Sequence, residues 1–286
     1  MPKHPNARPT FPGDLKAPAP DGAGGPDGTG APAGEPAAGD KGPVFAWQGL
    51  KVMATGSVVR EVPDLSIGPG QTALLTSRDD RVLANLGLIA SGQTEPTEHL
   101  ALVGQSLGDR VFWCGKAKPD EADFAATLAF YRQVAYVGPE SQLLANVTLL
   151  QTLCLELEYN QGAEAYQAKG LALECLESLG LSPLADLPPE KLVGPTRYVS
   201  LMALAVSRRP RLFVLEKPMA LLRPLLFYRV LEALKDKAHS LGQATLILGH
   251  RDSDYRPEEF DLVLSMGDDP EADPGTGSDP VPVAGA

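Results

Sequence analysis

A chain of 286 residues with a formal net charge of −11 carries no basic footprint for nucleic acid or anionic lipid. Its charge is uneven: residues 1–42 set four Lys/Arg against five Asp/Glu, residues 268–286 hold five acids and no base, and the stretch between them carries a mild −5. Three widely spaced cysteines (Cys114, Cys154, Cys175) lack metal-ligand spacing and read as reduced thiols, and no run approaches the ~20 apolar residues that span a bilayer.

The two ends are predicted to be disordered tails. Residues 1–42 are dominated by Pro, Gly, Ala and Asp without apolar periodicity, so burial cannot offset the entropy of ordering them. Residues 268–286 repeat that composition as an acidic, solubilising extension. No apolar segment near the N-terminus reads as a secretory signal. Residues 43–267 are left as one folding unit, large enough to bury a substantial core.

In chain order, residues 44–52 and 58–67 read as antiparallel strands, followed by a tight turn at Gly68-Pro69-Gly70. A short buried strand at 72–75 runs into Thr76-Ser77-Arg78-Asp79-Asp80. The stripe Val82, Leu83, Leu86, Ile89, Ala90 predicts a helix over about 81–90. Residues 93–107 show no period and read as a loop or insertion; 110–114 and 133–137 read as strands. Helical spacing governs 143–159, 163–179 (closed by Gly180) and 196–207. A strand at 212–215, a helix at 221–241 closed by Gly242, a strand at 244–248 ending in Gly249-His250 and a last strand at 262–266 complete the order. This alternation predicts an α/β fold: a three-layer core with a mainly parallel sheet, N-terminal antiparallel strands and a helical lobe over about 140–195.

The chemistry concentrates at two junctions. After the apolar strand Leu212-Phe213-Val214-Leu215 come a carboxylate, an ammonium and a proline, Glu216-Lys217-Pro218. At the start of the helix near residue 81 stand Asp79 and Asp80, which can accept from orphan N–H groups and complement the helix dipole. Ser77-Arg78-Asp79-Asp80 has the form of a capping box with Asp in the Glu/Gln place. Neither a Ser/His/Asp constellation nor a zinc-type cluster is visible in the sequence, and His4, His99 and His239 suggest no site.

The order of these segments resembles the nucleotide-binding subunit of ATP-binding cassette (ABC) transporters over nearly all of 43–267. Leu65-Ser66-Ile67-Gly68-Pro69-Gly70-Gln71 is similar to the family's entry to its phosphate loop, and Val134-Ala135-Tyr136-Val137 with Leu143-Leu144 and Val147-Thr148 to its glutamine-loop region. Leu192-Val193-Gly194-Pro195-Thr196 stands at the signature motif, Glu216-Lys217-Pro218 at the Walker B end, and His250 at the switch histidine, followed by Asp261-Leu262-Val263-Leu264. The resemblance implies a P-loop-NTPase-like core. It also implies nucleotide-site positions at Arg81, Val82, Leu83, Glu216 and Gly194.

The chemical motifs depart from the family. A phosphate loop needs glycines for close backbone approach, a Lys for the terminal phosphates and a Ser/Thr for magnesium. The matching stretch, Thr76 to Ala84, has no glycine; Val82 stands in the Lys place, and Leu83 and Ala84 in the hydroxyl places. Arg78 and Arg81 are the residues left to offer positive charge there, otherwise solvated surface arginines. Lys217 replaces the acid that positions water and, protonated, has no acceptor. Gly138-Pro139 replaces the glutamine, although Gln142 is near, and Pro195 removes an N–H from the signature. No aromatic suited to stacking on adenine stands at Met53 to Thr55.

The reading that follows is a degenerate ABC-type subunit that does not hydrolyse ATP and acts as structural or regulatory partner of a membrane transporter. Two alternatives stay open: an active ATPase with a rebuilt site using Arg81, Glu216 and His250, and a soluble scaffold detached from transport. No cofactor is expected, ATP and magnesium entering only if the altered site still binds them, and no metal ligand is assigned. By resemblance the partners are a permease subunit and either a second copy or a competent ABC ATPase. Nucleic acid and direct membrane insertion are not expected. The chain is placed in the cytoplasm, peripheral to the inner membrane through its permease.

Overall fold

The computed structural model describes residues 42–54, 57–93, 100–102, 111–114, 116–120 and 122–267. Both expected tails (residue 42 excepted) and most of the expected loop at 93–107 lie outside these residues. Four short strands come first: β1 (Phe45–Trp47), β2 (Leu50–Ala54), β3 (Ser57–Glu61) and β4 (Leu65–Ile67). Then follow β5 (Thr72–Ser77), α1 (Asp80–Ala90), β6 (Leu100–Leu102), β7 (Val111–Trp113), α2 (Phe124–Gln133) and β8 (Val134–Val137). Helices α3 (Leu149–Gln161), α4 (Ala165–Ser178) and α5 (Pro195–Ser207) lead to β9 (Leu212–Glu216). The short α6 (Pro218–Leu221), α7 (Pro224–Leu241), β10 (Ala244–His250) and β11 (Leu262–Ser265) end the described chain.

Apolar runs, buried on both faces in β5, β9 and β10, build a five-stranded, wholly parallel sheet in the order β11-β5-β10-β9-β8. The two-residue period of β9 shows why both faces are covered. Leu212 and Val214 join a core cluster with Leu83, Leu86 and Ile89 of α1 and with Phe45 and Ile67 of the antiparallel strands. Phe213 and Leu215 join the opposite cluster, with Leu153 of α3, Ala172 of α4, Met202 of α5 and Leu231 of α7. Two antiparallel sheets, β4-β1-β7 and β3-β2-β6, complete the arrangement. The α/β class, with its mainly parallel sheet and N-terminal antiparallel strands, is as expected.

Five details differ from the sequence reading, the first being that the strand β6 lies within 93–107, read as a loop or insertion. The stretches 44–52 and 58–67 are two strands each, the first broken at Gly49, whose φ of 64° turns the chain between β1 and β2. The helix expected from 143 starts at Leu149, because Thr148 and Gln151 form a capping box: Thr148 Oγ1 accepts from Gln151 N (3.2 Å) and Gln151 Oε1 from Thr148 N (2.8 Å). The helix expected over 221–241 begins three residues later, at Pro224, after a separate short α6. Pro224 has no N–H and disfavours helical geometry at the residue before it, so α6 stops at Leu221, Leu222 is extended, and α7 starts afresh. Helix α2 was not foreseen; it buries only Phe130, so no apolar stripe announces it.

Candidate functional site

The carboxyl ends of β5, β9 and β10 meet the N-terminus of α1, the edge where open α/β sheets hold their ligands. Register fixes the arrangement, since His250 of β10 is level with Ser77 of β5 and Leu248 with Glu216 of β9. Lys217 N donates to Leu248 O (2.7 Å), so the residue after Glu216 is tied to the sheet before the chain enters α6.

Asp79 is the N-cap of α1. Its Oδ1 accepts from Arg81 N (2.9 Å) and Val82 N (3.3 Å), taking two of the donors a helix start leaves unpaired. The Ser77–Asp80 capping box does not form. Ser77 is the last, fully buried residue of β5, and its Oγ accepts instead from Asp79 N (3.0 Å). Asp80 turns toward Lys217.

Val82 and Leu83 are 3% and 0% exposed and pack in the core beneath α1, whereas Arg81 is exposed. The three positions assigned together from the resemblance therefore part: one side chain faces solvent and two face the core.

Glu216 is 2% exposed, and each of its carboxylate oxygens has a partner. Tyr136 Oη donates to Oε2 in a short hydrogen bond, and Lys217 Nζ lies 3.4 Å from Oε1. The same Nζ lies 3.6 Å from Asp80 Oδ2, so one ammonium bridges the end of β9 and the start of α1. Lys217 adopts left-handed backbone geometry (φ 47°, ψ 47°), uncommon for a residue with a β-carbon. Tyr198 of α5, 1% exposed, donates to Glu216 O (3.0 Å), with Val137 O at 3.3 Å, pinning the ends of β8 and β9 together.

Two glycines make room for Tyr136. A β-carbon at Gly87, mid-way along α1, would stand 2.8 Å from the Tyr136 ring; one at Gly138 would overlap the hydroxyl and come within 3.0 Å of Glu216 Oε2. Burial, the hydrogen bond to Glu216, and the charges of Glu216 and Glu140 push the Tyr136 phenol far above its ordinary range, so it remains a donor. Beside this cluster lies an open cavity of about 440 Å³, walled by Tyr136, Glu140, Gln142, Arg208, Glu216 and Lys217.

His250 ends the strand beside Ser77, but its own partner is local. His250 Nδ1 accepts from Asp252 N (3.3 Å) in the turn after β10, where Arg78 also meets Asp252 (3.4 Å). Gly194, at φ 55°, precedes Pro195 at the start of α5 and has no atom within 4 Å of where its β-carbon would stand. The structure thus brings together Glu216, Lys217 and the acids flanking the start of α1. Tyr136, Gly87 and Tyr198 were missed as parts of the site. The available signals were a phenol in an aliphatic strand two residues before a glycine, and a glycine inside a helix.

A parallel sheet with this strand order, a helix springing from β5 and an acid ending β9 define a P-loop-NTPase-like α/β fold. The same fold is seen in the structure of cbiO1 from Clostridium perfringens, described as part of the ABC transporter complex cbiONQ, at TM-score 0.62 and 17% identity over 79% of this chain and 85% of that one. No protein-family model matches the chain. It is 29% identical over 189 residues (65% of this chain, 75% of the relative) to the probable amino-acid import ATP-binding protein YxeO of Bacillus subtilis. It is 29% identical over 191 residues (65% and 74%) to a probable amino-acid ABC transporter ATP-binding protein of Haemophilus influenzae. With the nickel import ATP-binding protein NikO of Rhodobacter capsulatus it shares 26% over 231 residues, 79% of this chain and 84% of that protein. The chain is a relative of the ATP-binding subunits of ABC transporters.

Proposed function

We propose that the chain is an ABC-type nucleotide-binding subunit that has kept the fold and lost hydrolysis, and that it acts as structural or regulatory partner of a membrane transporter. The observation that carries this is the start of α1, where the Arg81 and Val82 N–H groups already hold the Asp79 carboxylate. A helix N-terminus binds phosphate through such free donors and its dipole. Here the chain supplies its own anion, and Asp80 places a second negative charge at the same end.

The other positions agree. Val82 and Leu83 are buried in the core and offer neither ammonium nor hydroxyl to a ligand. Lys217 stands beside Glu216 and, as an ammonium, cannot take a proton from water. These residues do not fit a triphosphate with its magnesium ion, and no hydrolytic step is built on them.

The relatives' names, which speak of import and of ABC transporters, support a membrane transporter with its permease as partner; a second copy or a competent ATPase as pairing partner belongs to the same proposal. Placement on the cytoplasmic face belongs to the same reading. Among the described residues no helix is long and apolar enough to cross a membrane, and in this reading attachment runs through the partner.

Calorimetry with ATP, with and without magnesium, and a phosphate-release assay test the proposal. The expected result is no tight binding and release at background. Turnover well above background that disappears in Arg81→Ala would replace this reading with a working ATPase built on Arg81, Glu216 and His250.

A further inference from the structure

The Lys217 ammonium has more to do than displace an acid. Glu216 is 2% exposed at the end of β9, and a buried carboxylate is costly without a counter-charge. Tyr136 gives it a hydrogen bond but no charge. Lys217, with a side chain only 17% exposed, gives the charge at 3.4 Å and reaches Asp80 at 3.6 Å. The two carboxylates belong to elements that covalent structure does not join closely, since α1 (Asp80–Ala90) and β9 (Leu212–Glu216) lie far apart in the sequence.

We propose that Lys217 is a built-in counter-ion that clamps the end of β9 to the start of α1, making this edge of the core complete without a divalent metal ion. This deepens the reading of a non-hydrolysing subunit at the same site. The charges favour it: the ammonium lies 3.4 Å from Glu216 Oε1 and 3.6 Å from Asp80 Oδ2, so a divalent cation placed between these carboxylates would meet a like charge. Backbone placement favours it too. The left-handed geometry at Lys217 and its N–H bond to Leu248 O fix the root of the side chain, which is itself largely covered. The bond to Glu216 carries most of the effect, because the Asp80 carboxylate is 61% exposed and its attraction is screened.

The test uses the full chain without nucleotide, followed by thermal unfolding in EDTA and in millimolar magnesium or manganese chloride. The clamp predicts a wild-type Tm that is the same in both. Lys217→Met keeps the stem and the same backbone strain but removes the charge, and its Tm falls by several degrees. Lys217→Met combined with Glu216→Gln regains a large part of that loss, because the uncompensated carboxylate is gone; this double variant stays informative if Lys217→Met alone fails to fold. A wild-type Tm that rises with magnesium overturns the proposal. So does a Lys217→Met protein as stable as wild type, or a double variant no better than the single one. ATP turnover by the wild type would remove the non-hydrolysing reading and leave this clamp standing, so the two failures are distinguishable.

Discussion

Asp79 holds two backbone donors that a bare helix start would leave to water, and in the reading proposed above that same carboxylate stands where a phosphate would dock. Asp79→Ala should cost ~1 kcal/mol in urea denaturation, while Asp79→Asn should keep most of the stability because Asn caps about as well as Asp. Asp80→Ala should cost less, since that side chain is 61% exposed and Lys217 keeps Glu216 as its nearer partner. An Asp79→Ala protein as stable as wild type would mean the cap contributes nothing. Lys217→Glu should show no gain of phosphate release, because catalytic groups act as a unit and the start of α1 still lacks a Lys and holds two acids. It should also unfold more easily, with a second carboxylate set against the buried Glu216. Robust hydrolysis by that single variant would contradict the account. Asp79, Glu216 and Lys217 could be named from the sequence because each stands next to a recognisable helix start or strand end. The partner Tyr136 could not, since it lies 80 residues from Glu216 and meets it only through the pairing of β8 with β9.

Helix α1 illustrates how an element can carry an unfavourable residue for the sake of its neighbour. A glycine inside a helix costs about 1 kcal/mol relative to alanine, so Gly87→Ala would stabilise an isolated α1. In the fold the new β-carbon would meet the Tyr136 ring at 2.8 Å and Leu248 Cδ1 at 3.4 Å. The expected outcome is therefore net destabilisation in the native background and a reversal of sign in a Tyr136→Ala background. A double-mutant cycle by chemical denaturation measures this, and equal effects in both backgrounds would show that Tyr136 is not the obstacle. Strands and helices with strong apolar patterns were legible in the sequence, β9 and α1 above all. Boundaries were less so: the start of α3 is set by the Thr148–Gln151 box and the start of α7 by Pro224, local chemistry that a search for periodicity passes over. Helix α2 escaped altogether, with Phe130 as its one buried side chain.

At the scale of the molecule, the sheet divides two cores, and one buried and two half-buried phenols stand where its carboxyl edge meets the surrounding helices and turns. Tyr198 links α5 to the ends of β8 and β9, Tyr136 links β8 to Glu216, and Tyr255 packs edge-on against Phe227 of α7. Burial is the first cause raising all three phenols above their ordinary value. A group whose pKa is higher in the folded than in the unfolded state favours folding while protonated. Its contribution is fully present below about pH 10 and is lost as pH rises from there through the folded-state value. Stability should thus fall along an alkaline limb starting near pH 10, each tyrosine adding up to ~1.4 kcal/mol per pH unit to the slope. Tyr198→Phe separates this from the titration of lysines. Near pH 8 it should cost ~1 kcal/mol for the lost hydrogen bond to Glu216 O, but above pH 10 its stability should fall less steeply than that of the wild type, so that the two curves converge. Urea denaturation from pH 8 to 11 reads both effects, and curves that stay parallel through pH 11 would show that Tyr198 does not titrate differently in the folded and unfolded chains.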